Sequence, residues 1–520
     1  MVYPIDGTWF TLKAKSISAD EWMGLTYDQY TLIKGPIYSL FLAIMSQLGI
    51  SAKLAIDVLY LGASLVFLKA LLTTLTNKVA IIAGFTLVLY NPATFSEFWT
   101  QPIRINLYAS LVLVYLSCLI IVLTHCYQAK AKLPTTWLLL CGISLALAWN
   151  TRGESIWMLS GLFPLLLLSL WRIYKQRNRS LPLLSLAIIL CIPIITWQIL
   201  ASINDKKYGF HGVSEFKGTQ FFRAVNAVYS LNTDDDEKSY IYISKTSIDK
   251  LKTISDSTRR LVKGMLKEDG IRLRRWNMAK GDLASWGIRS GMVKAGYHQN
   301  IKDTELAYQQ IADDIERFCR NTPNGCRTSY IPGLLIKPQA VKKVGTIALN
   351  GFKKFIDFDY FPPALDPQQL KRGDRKFQYL TNRFHKIHSG YNNEYEQLSA
   401  INQNEQKRKR TIAKLYKRYQ SDYKYLFIIA CLVAIITVFS NKQWQPRAIG
   451  LMFLGMLISS FSIFVLISSF AVPHFSRVLI SSSVPLLCFS AYFFGLGVQN
   501  ISSLLIFPFK IPLTKSMVKT

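Results

Sequence analysis

The chain reads as a mainly α, polytopic helical membrane protein, and three observations predict that class. Half of its 520 residues are apolar, and its mean hydropathy is +0.21. Several apolar runs reach the ~20 residues that a helix needs to cross a bilayer. One long polar stretch, residues 206–423, holds no comparable run and has the length of an ordinary extramembrane domain.

The elements follow in order. Residues 1–50 comprise a polar acidic segment, read as an external loop, and the apolar run from Pro36 to Ile50. That run is too short to span and is predicted to be an interfacial, juxtamembrane helix. Spans are predicted near 53–75, 78–92, 105–125, 135–150, 154–171 and 181–203, within an N-terminal membrane unit over 51–205. The inserted domain at 206–423 is expected to be mostly helical. From Asp303 to Cys319, Leu306, Ala307, Ile311 and Ile315 recur at helical spacing, and Glu394 to Tyr423 carries a second amphipathic pattern. Three further spans near 424–440, 447–471 and 477–498 lie within 424–500 and bring the total to about nine, ahead of a tail at 501–520.

Charge sets the orientation. The net charge of +30 is concentrated in the insert, which holds most of the charged residues and a basic surplus. Anionic membrane lipid is its natural partner. No recognisable nucleic-acid module accompanies the basic residues, so nucleic acid is not an expected partner. The short loops CYQAKAKLP (126–134), RIYKQRNRS (172–180) and NKQWQPR (441–447), with the tail carrying Lys510, Lys515 and Lys519, are basic and nearly free of acid. The positive-inside rule assigns them to the cytoplasm. The insert and the acidic N-terminal segment then share the opposite face.

Cysteine usage agrees with that orientation. Six of the eight cysteines lie in apolar spans or at their edges, whereas Cys319 and Cys326 sit in the insert, in FCRNTPNGC. Their spacing suits a disulfide-closed loop in an oxidising compartment. A free-thiol pair or half of a zinc site is the alternative, and no CxxC accompanies it. One stretch opposes the orientation: EQKRKRTIAKLYKRYQSDYKYLF places Lys407, Arg408, Lys409, Arg410, Lys414, Lys417, Arg418 and Lys424 beside a span. Long translocated domains are partly exempt from the rule. The stretch reads either as a solvated basic helix or as an anionic-lipid contact. Met1 opens in polar sequence with neither signal peptide nor span ahead, so the acidic segment is exported either from a start that lies upstream or by the first hairpin.

Half of the carboxylates outside the insert fall in the first 28 residues: Asp6, Asp20, Glu21 and Asp28. Carboxylates held against a membrane face suit proton transfer on a membrane-bound substrate. Several cations could meet a lipid phosphate. Lys34 precedes Gly35-Pro36, and Arg104, in EFWTQPIRINLY, lies just inside an apolar helix after Pro102. Arg152 shares a tight turn with Glu154, and His474 and Arg477, in AVPHFSRVL, open the last span. Each has a plainer reading: a loop acid or helix cap, a headgroup-level lysine, a snorkelling arginine, an Arg152–Glu154 ion pair, an interfacial anchor.

In the insert, His385 and His388 have metal-like spacing but no carboxylate or cysteine close by. Asp234, Asp235, Asp236 and Glu237 form a charge run without the spacing of a calcium loop. Trp276 and Trp286 read as core rather than as sugar-stacking platforms. GxGxxG, GxxxxGK, HExxH and CxxC are absent, which leaves nucleotide binding and zinc hydrolysis without sequence support.

With these residues in place, the chain resembles the type-C (GT-C) superfamily of polytopic membrane glycosyltransferases, which includes protein mannosyltransferases, the aminoarabinose transferase of lipid A and oligosaccharyltransferases. The likeness rests on layout and short motifs. An acidic first external loop precedes a Lys-Gly-Pro element opening a juxtamembrane helix, here Lys34, Gly35, Pro36, Ile37 and Tyr38. An Arg near an external helix start (Arg104) and an Arg-x-Glu external turn (Thr151, Arg152, Gly153, Glu154) follow. IDGTWF, TLIKGPIYSLFLA, NTRGESIW and SGMVKAGYHQNIKDTELAYQQIADDIERFC together look like a bacterial family of glycosyltransferase-like membrane proteins, over most of the chain. Two features depart from the pattern. Ile5 precedes a single Asp6 where many members carry two acids, which weakens the case for a metal held by paired carboxylates. The superfamily's first helix is also missing.

The resemblance implies transfer of a sugar from a polyprenyl-phosphate donor to an acceptor hydroxyl at the external face of a bacterial inner membrane. Asp6 would take the acceptor proton, with Asp28 as the competing base, and Arg104 or Arg152 would support the departing phosphate. No cofactor is named by the residues, and a divalent cation stays open. Two other classes use the same features. A lipid-carrier transporter or flippase needs the arginines and no base, although no internal repeat relates the two groups of spans. A non-catalytic envelope assembly protein would use the basic insert to dock a partner or anionic lipid.

Overall fold

The computed structural model describes residues 3–28, 30–95, 99, 103–128, 134–175, 180–216, 219–231, 241–276, 279–280, 282–326, 338–357, 403–440, 444–470 and 476–506. The chain is mainly α, as predicted. Among the described residues, eight helices are long and apolar enough to cross a bilayer. A further apolar helix, Thr135–Thr151, is 17 residues long. Together they coincide with the nine predicted runs, and the short run after Pro36 is a separate apolar helix, Ile37–Gln47.

The first group comprises α1 (Tyr3–Ser18), α2 (Ile37–Gln47), α3 (Ala52–Thr74), α4 (Lys78–Leu89), α5 (Arg104–Tyr127) and α6 (Thr135–Thr151). A 3-10 stretch, Gly153–Leu162, then leads into α7 (Phe163–Tyr174), and α8 (Ser180–Tyr208) closes the group. α5 is the hub. Its apolar window is 89% buried, as expected of a helix apolar all round, whereas that of α8 is only 17% buried and lies at the periphery.

The insert holds α9 (Gln220–Ser230), β1 (Ile241–Ile243), α10 (Lys245–Ile254), α11 (Asp256–Trp276), β2 (Ala279–Lys280), α12 (Asp282–Lys294), α13 (Ile301–Asn321) and α14 (Pro338–Asp357). Its core is helical, built from Phe221, Leu261, Met265, Ile288, Tyr308 and Ile311, with β1 and β2 forming one short antiparallel pair. α13 is the amphipathic helix read from Asp303 to Cys319, and Asn300 caps it by accepting from the Asp303 amide at 2.9 Å. Cys319 in its last turn and Cys326 just beyond it form a disulfide with a Cα–Cα distance of 5.2 Å. Trp286 packs against Phe216, ring centroids 6.1 Å apart. Trp276 has no described side chain; Asp234 to Glu237, His385 and His388 lie outside the described residues. So does 394–402, the start of the second amphipathic pattern.

The chain returns through α15 (Gln403–Ser440), α16 (Trp444–Phe470) and α17 (Ser476–Ile506). These helices complete the first bundle rather than forming one of their own. Tyr423 Oη donates to the Leu87 carbonyl at 3.0 Å, tying α15 to α4. α17 meets α4 so closely that a Cβ at Gly84 would stand 3.0 Å from the Ala491 carbonyl oxygen. Small residues permit that approach in a membrane, where packing rather than water exclusion holds helices together. The basic stretch at 407–424 is the opening half of α15 and enters the membrane without a break.

The N-terminal segment departs from the loop expected of it, since Tyr3–Ser18 is helical. Trp9, Phe10 and Ala14 bury against Tyr38 and Leu42 of α2 and Leu107 of α5, and Phe10 meets Tyr38 edge-on at 5.0 Å. Apolar contact with two membrane helices stabilises a segment whose mixed sequence carries no clean helical stripe. The turn that follows holds Asp20 and Trp22 at positive φ, 59° and 55°. It is pinned from outside: Trp22 Nε1 donates to Asn204 Oδ1 of α8, Tyr208 Oη to the Gly24 carbonyl and Trp9 Nε1 to the Tyr30 carbonyl, each at 2.8 Å.

Candidate functional site

Phe10 is the centre of a cationic cluster. The Lys34 ammonium lies 5.4 Å from the centroid of its ring and 6.0 Å from that of Trp9. The Arg104 guanidinium lies 5.8 Å from the Phe10 ring. Cations over aromatic faces are held in place while keeping their charge. Arg104 Nη1 also donates to the Thr151 carbonyl at 2.9 Å, across 47 residues of sequence. Thr151 ends α6, so that bond sets Arg104 beside the next residue, Arg152.

Arg152 is 3% exposed. It caps the end of α6 with an extended backbone, φ −137° and ψ 129°. Its guanidinium stands 5.5 Å from the Tyr108 ring centroid. Nε donates to Glu154 Oε1 at 2.7 Å and Nη2 donates to the same oxygen. Nη1 is buried and makes no hydrogen bond. A buried guanidinium with an open donor is costly unless an anion completes it. Both Arg104 and Arg152 act electrostatically on Glu154. Lys34 and Arg104 thus share the Phe10 ring, and Arg104 and Arg152 share the Glu154 carboxylate, so the site gathers three cations. Their net positive charge lies at the ends of apolar helices, where an anionic headgroup can be reached.

Gly35 explains how Lys34 arrives there. A Cβ at this position would lie 2.3 Å from the Asn150 carbonyl oxygen, so only glycine lets the Lys34-Gly35-Pro36 backbone press against the end of α6.

The predicted residues separate into groups. Lys34, Arg104, Arg152 and Glu154 are brought together. Asp6 falls on α1 one turn before Phe10, and its side chain is not described. Asp28 is engaged in its own turn: Oδ1 accepts from the Tyr30 amide at 2.8 Å and from Thr31 Oγ1 at 2.6 Å, and faces Lys13 Nζ at 3.6 Å. Burial holds the Lys13 amine below its ordinary pKa, and Asp28 opposes that shift. Arg477 lies in α17 with no described side chain, and His474 lies outside the described residues. Among the described residues no group of three or more His, Cys, Asp or Glu could hold a metal ion.

No family model, no curated protein and no solved structure matches the chain.

A second cluster, missed by sequence reading, docks the insert on the N-terminal turn. Glu215 and Arg289 form a 2.5 Å ion pair with side chains 0% and 1% exposed. The Arg289 guanidinium covers Phe221 at 5.3 Å. Tyr27 stacks on His298, 5.5 Å apart and 12° from parallel, and His298 Nε2 lies 3.1 Å from Tyr308 Oη. Burial, aided by the Arg289 charge, pushes the His298 pKa down to about 3, so the imidazole is neutral. Backbone bonds extend the dock, with the Glu215 amide donating to the Leu32 carbonyl at 2.9 Å. Ser214 Oγ donates to the Ile33 carbonyl at 2.8 Å. Glu215 and Arg289 are 74 residues apart, and no local pattern pairs them.

Proposed function

We propose that the chain is a GT-C-type membrane glycosyltransferase, moving a sugar from a polyprenyl-phosphate donor to an acceptor hydroxyl. The observation that carries this reading is the Lys34–Arg104–Arg152 cluster, with an unpaired buried donor on Arg152 at the rim of an apolar bundle. In this reaction the acceptor oxygen attacks the anomeric carbon, the bond from that carbon to the phosphate oxygen breaks, and polyprenyl phosphate departs with the bonding electrons. Asp6 takes the acceptor proton. Lys34, Arg104 and Arg152 hold the charge that grows on the leaving phosphate, a stabilisation strongest where water is excluded.

The basic short loops and the Cys319–Cys326 pair support a bacterial inner-membrane location with the insert on the extracytoplasmic face. On that arrangement the exposed Lys414, Lys417 and Arg418 of α15 meet anionic lipid as the helix enters the bilayer.

The test is transfer by purified protein from a polyprenyl-phosphate sugar to a pool of acceptors, comparing the native chain with Asp6→Asn. Transfer unchanged by the substitution removes the base assignment. Donor binding that never leads to transfer favours the carrier or assembly classes, which use the same cations without chemistry.

A further inference from the structure

A cavity of about 280 Å³ lies where α8 meets the insert. Its walls come from three parts of the chain: Trp197 of α8, His211 and Ser214 of the connector, and Gln220 and Glu305 at the starts of α9 and α13. That volume sits at the lower edge of the ~300–1,000 Å³ typical of ligand pockets, which suits one ring rather than a long chain.

The lining has two chemistries. Trp197 is 41% exposed and meets His211 edge-on at 5.7 Å, leaving an aromatic surface for the C–H face of a ring. The rest is rich in acceptors. Glu305 Oε2 accepts the Gln220 amide at 2.9 Å, the Phe221 amide acts on the same carboxylate, and Gln220 Oε1 is buried with no hydrogen-bond partner. An acceptor without a donor beside a carboxylate calls for a ligand that brings hydroxyls. Burial lifts the Glu305 carboxyl above the usual carboxylate range.

The cavity also adjoins the cationic cluster. Its wall residue Ser214 is bonded to the Ile33 carbonyl, next to Lys34, and Val213 packs with Ile37 just past the Lys-Gly-Pro element.

We propose that this cavity binds one hydroxyl-bearing sugar unit, with its ring face on Trp197 and its hydroxyls on Glu305 and Gln220. Its assignment as the acceptor side of the reaction rests on the glycosyl-transfer reading, whereas the binding itself does not.

Saturation-transfer NMR on the full chain in nanodiscs tests it, with methyl α-mannoside, methyl β-galactoside and methyl N-acetyl-β-glucosaminide as probes. The native chain should transfer saturation to the ring protons of at least one glycoside. Trp197→Ala and Glu305→Gln should each weaken binding about fivefold or more, and Gly62→Ala, where an added Cβ meets nothing within 4 Å, should leave it unchanged. Glu305→Gln keeps an acceptor for the Gln220 amide, so it decides the matter alone if the tryptophan variant does not fold. Absence of binding by all three probes to the native chain overturns the proposal, as does binding indifferent to both substitutions. Glycoside binding without transfer from any lipid donor removes the enzymatic reading and leaves the cavity standing. Transfer indifferent to Trp197 and Glu305 removes the acceptor assignment.

Discussion

Arg104 donates through Nη1 to the carbonyl of Thr151 at 2.9 Å, so the first turn of α5 is bonded to the last residue of α6. That bond sets the Arg104 guanidinium beside Arg152 and makes the positive site a property of two helix ends meeting.

Replacing Arg104 with Ala should remove a phosphate contact and free the α6 end. Affinity for polyprenyl phosphate should fall about tenfold or more, as for loss of a charge-assisted hydrogen bond. Arg104→Lys should restore only part of it, because an ammonium cannot reach the carbonyl and a phosphate with one rigid fork. Equilibrium binding of a fluorescent polyprenyl phosphate to the three proteins measures both effects.

Gly35→Ala should destabilise the chain by about 1–3 kcal/mol, an overpacking cost. The added methyl meets the Asn150 carbonyl, part of a helix backbone that cannot rotate away. Gly62→Ala is the control, since a Cβ there meets nothing within 4 Å. Its melting temperature should stay level or rise, and equal melting of both variants would contradict the close approach.

Glu215→Gln should cost about 3–5 kcal/mol, because it leaves the buried Arg289 charge without its counter-ion. Replacing both residues with apolar side chains of similar volume should cost far less. Limited proteolysis of the 205–300 region should accelerate in the single variant and recover in the double one.

His298 sets a pH dependence. Its pKa is about 3 in the folded chain against 6.5 ordinarily, so the unfolded chain takes up the proton first on acidification. The stability contributed by the neutral imidazole is complete above about pH 6.5 and is lost progressively toward pH 3. His298→Gln should flatten the fall in melting temperature between pH 7 and pH 4. An equal slope in both proteins would show that other groups set it.

The spans were legible because a run of ~20 apolar residues has few fates in a protein. α13 was legible from Ala307, Ile311 and Ile315, which are buried, whereas Leu306 of the same pattern is 62% exposed; Lys34, Arg104, Arg152 and Glu154 were legible from their charge at apolar helix ends. α1 was not. Its stability comes from Trp9 and Phe10 meeting Tyr38 and Leu107, contacts between distant segments that no periodicity records. The Glu215–Arg289 pair and the Trp197 cavity are likewise assembled by tertiary packing of parts far apart in sequence.

Consider finally α15, a single helix of 38 residues. At 1.5 Å per residue it is about 57 Å long, nearly twice the ~30 Å thickness of a hydrocarbon core. α8, with 29 residues, likewise runs past that thickness on its way to the insert. α8 leads directly into the insert at Tyr208, so this connection is a stiff strut rather than a tether. A tilt of α8 in the bilayer is passed on as displacement of the domain it carries, and a load on that domain is felt as torque on the bundle beneath.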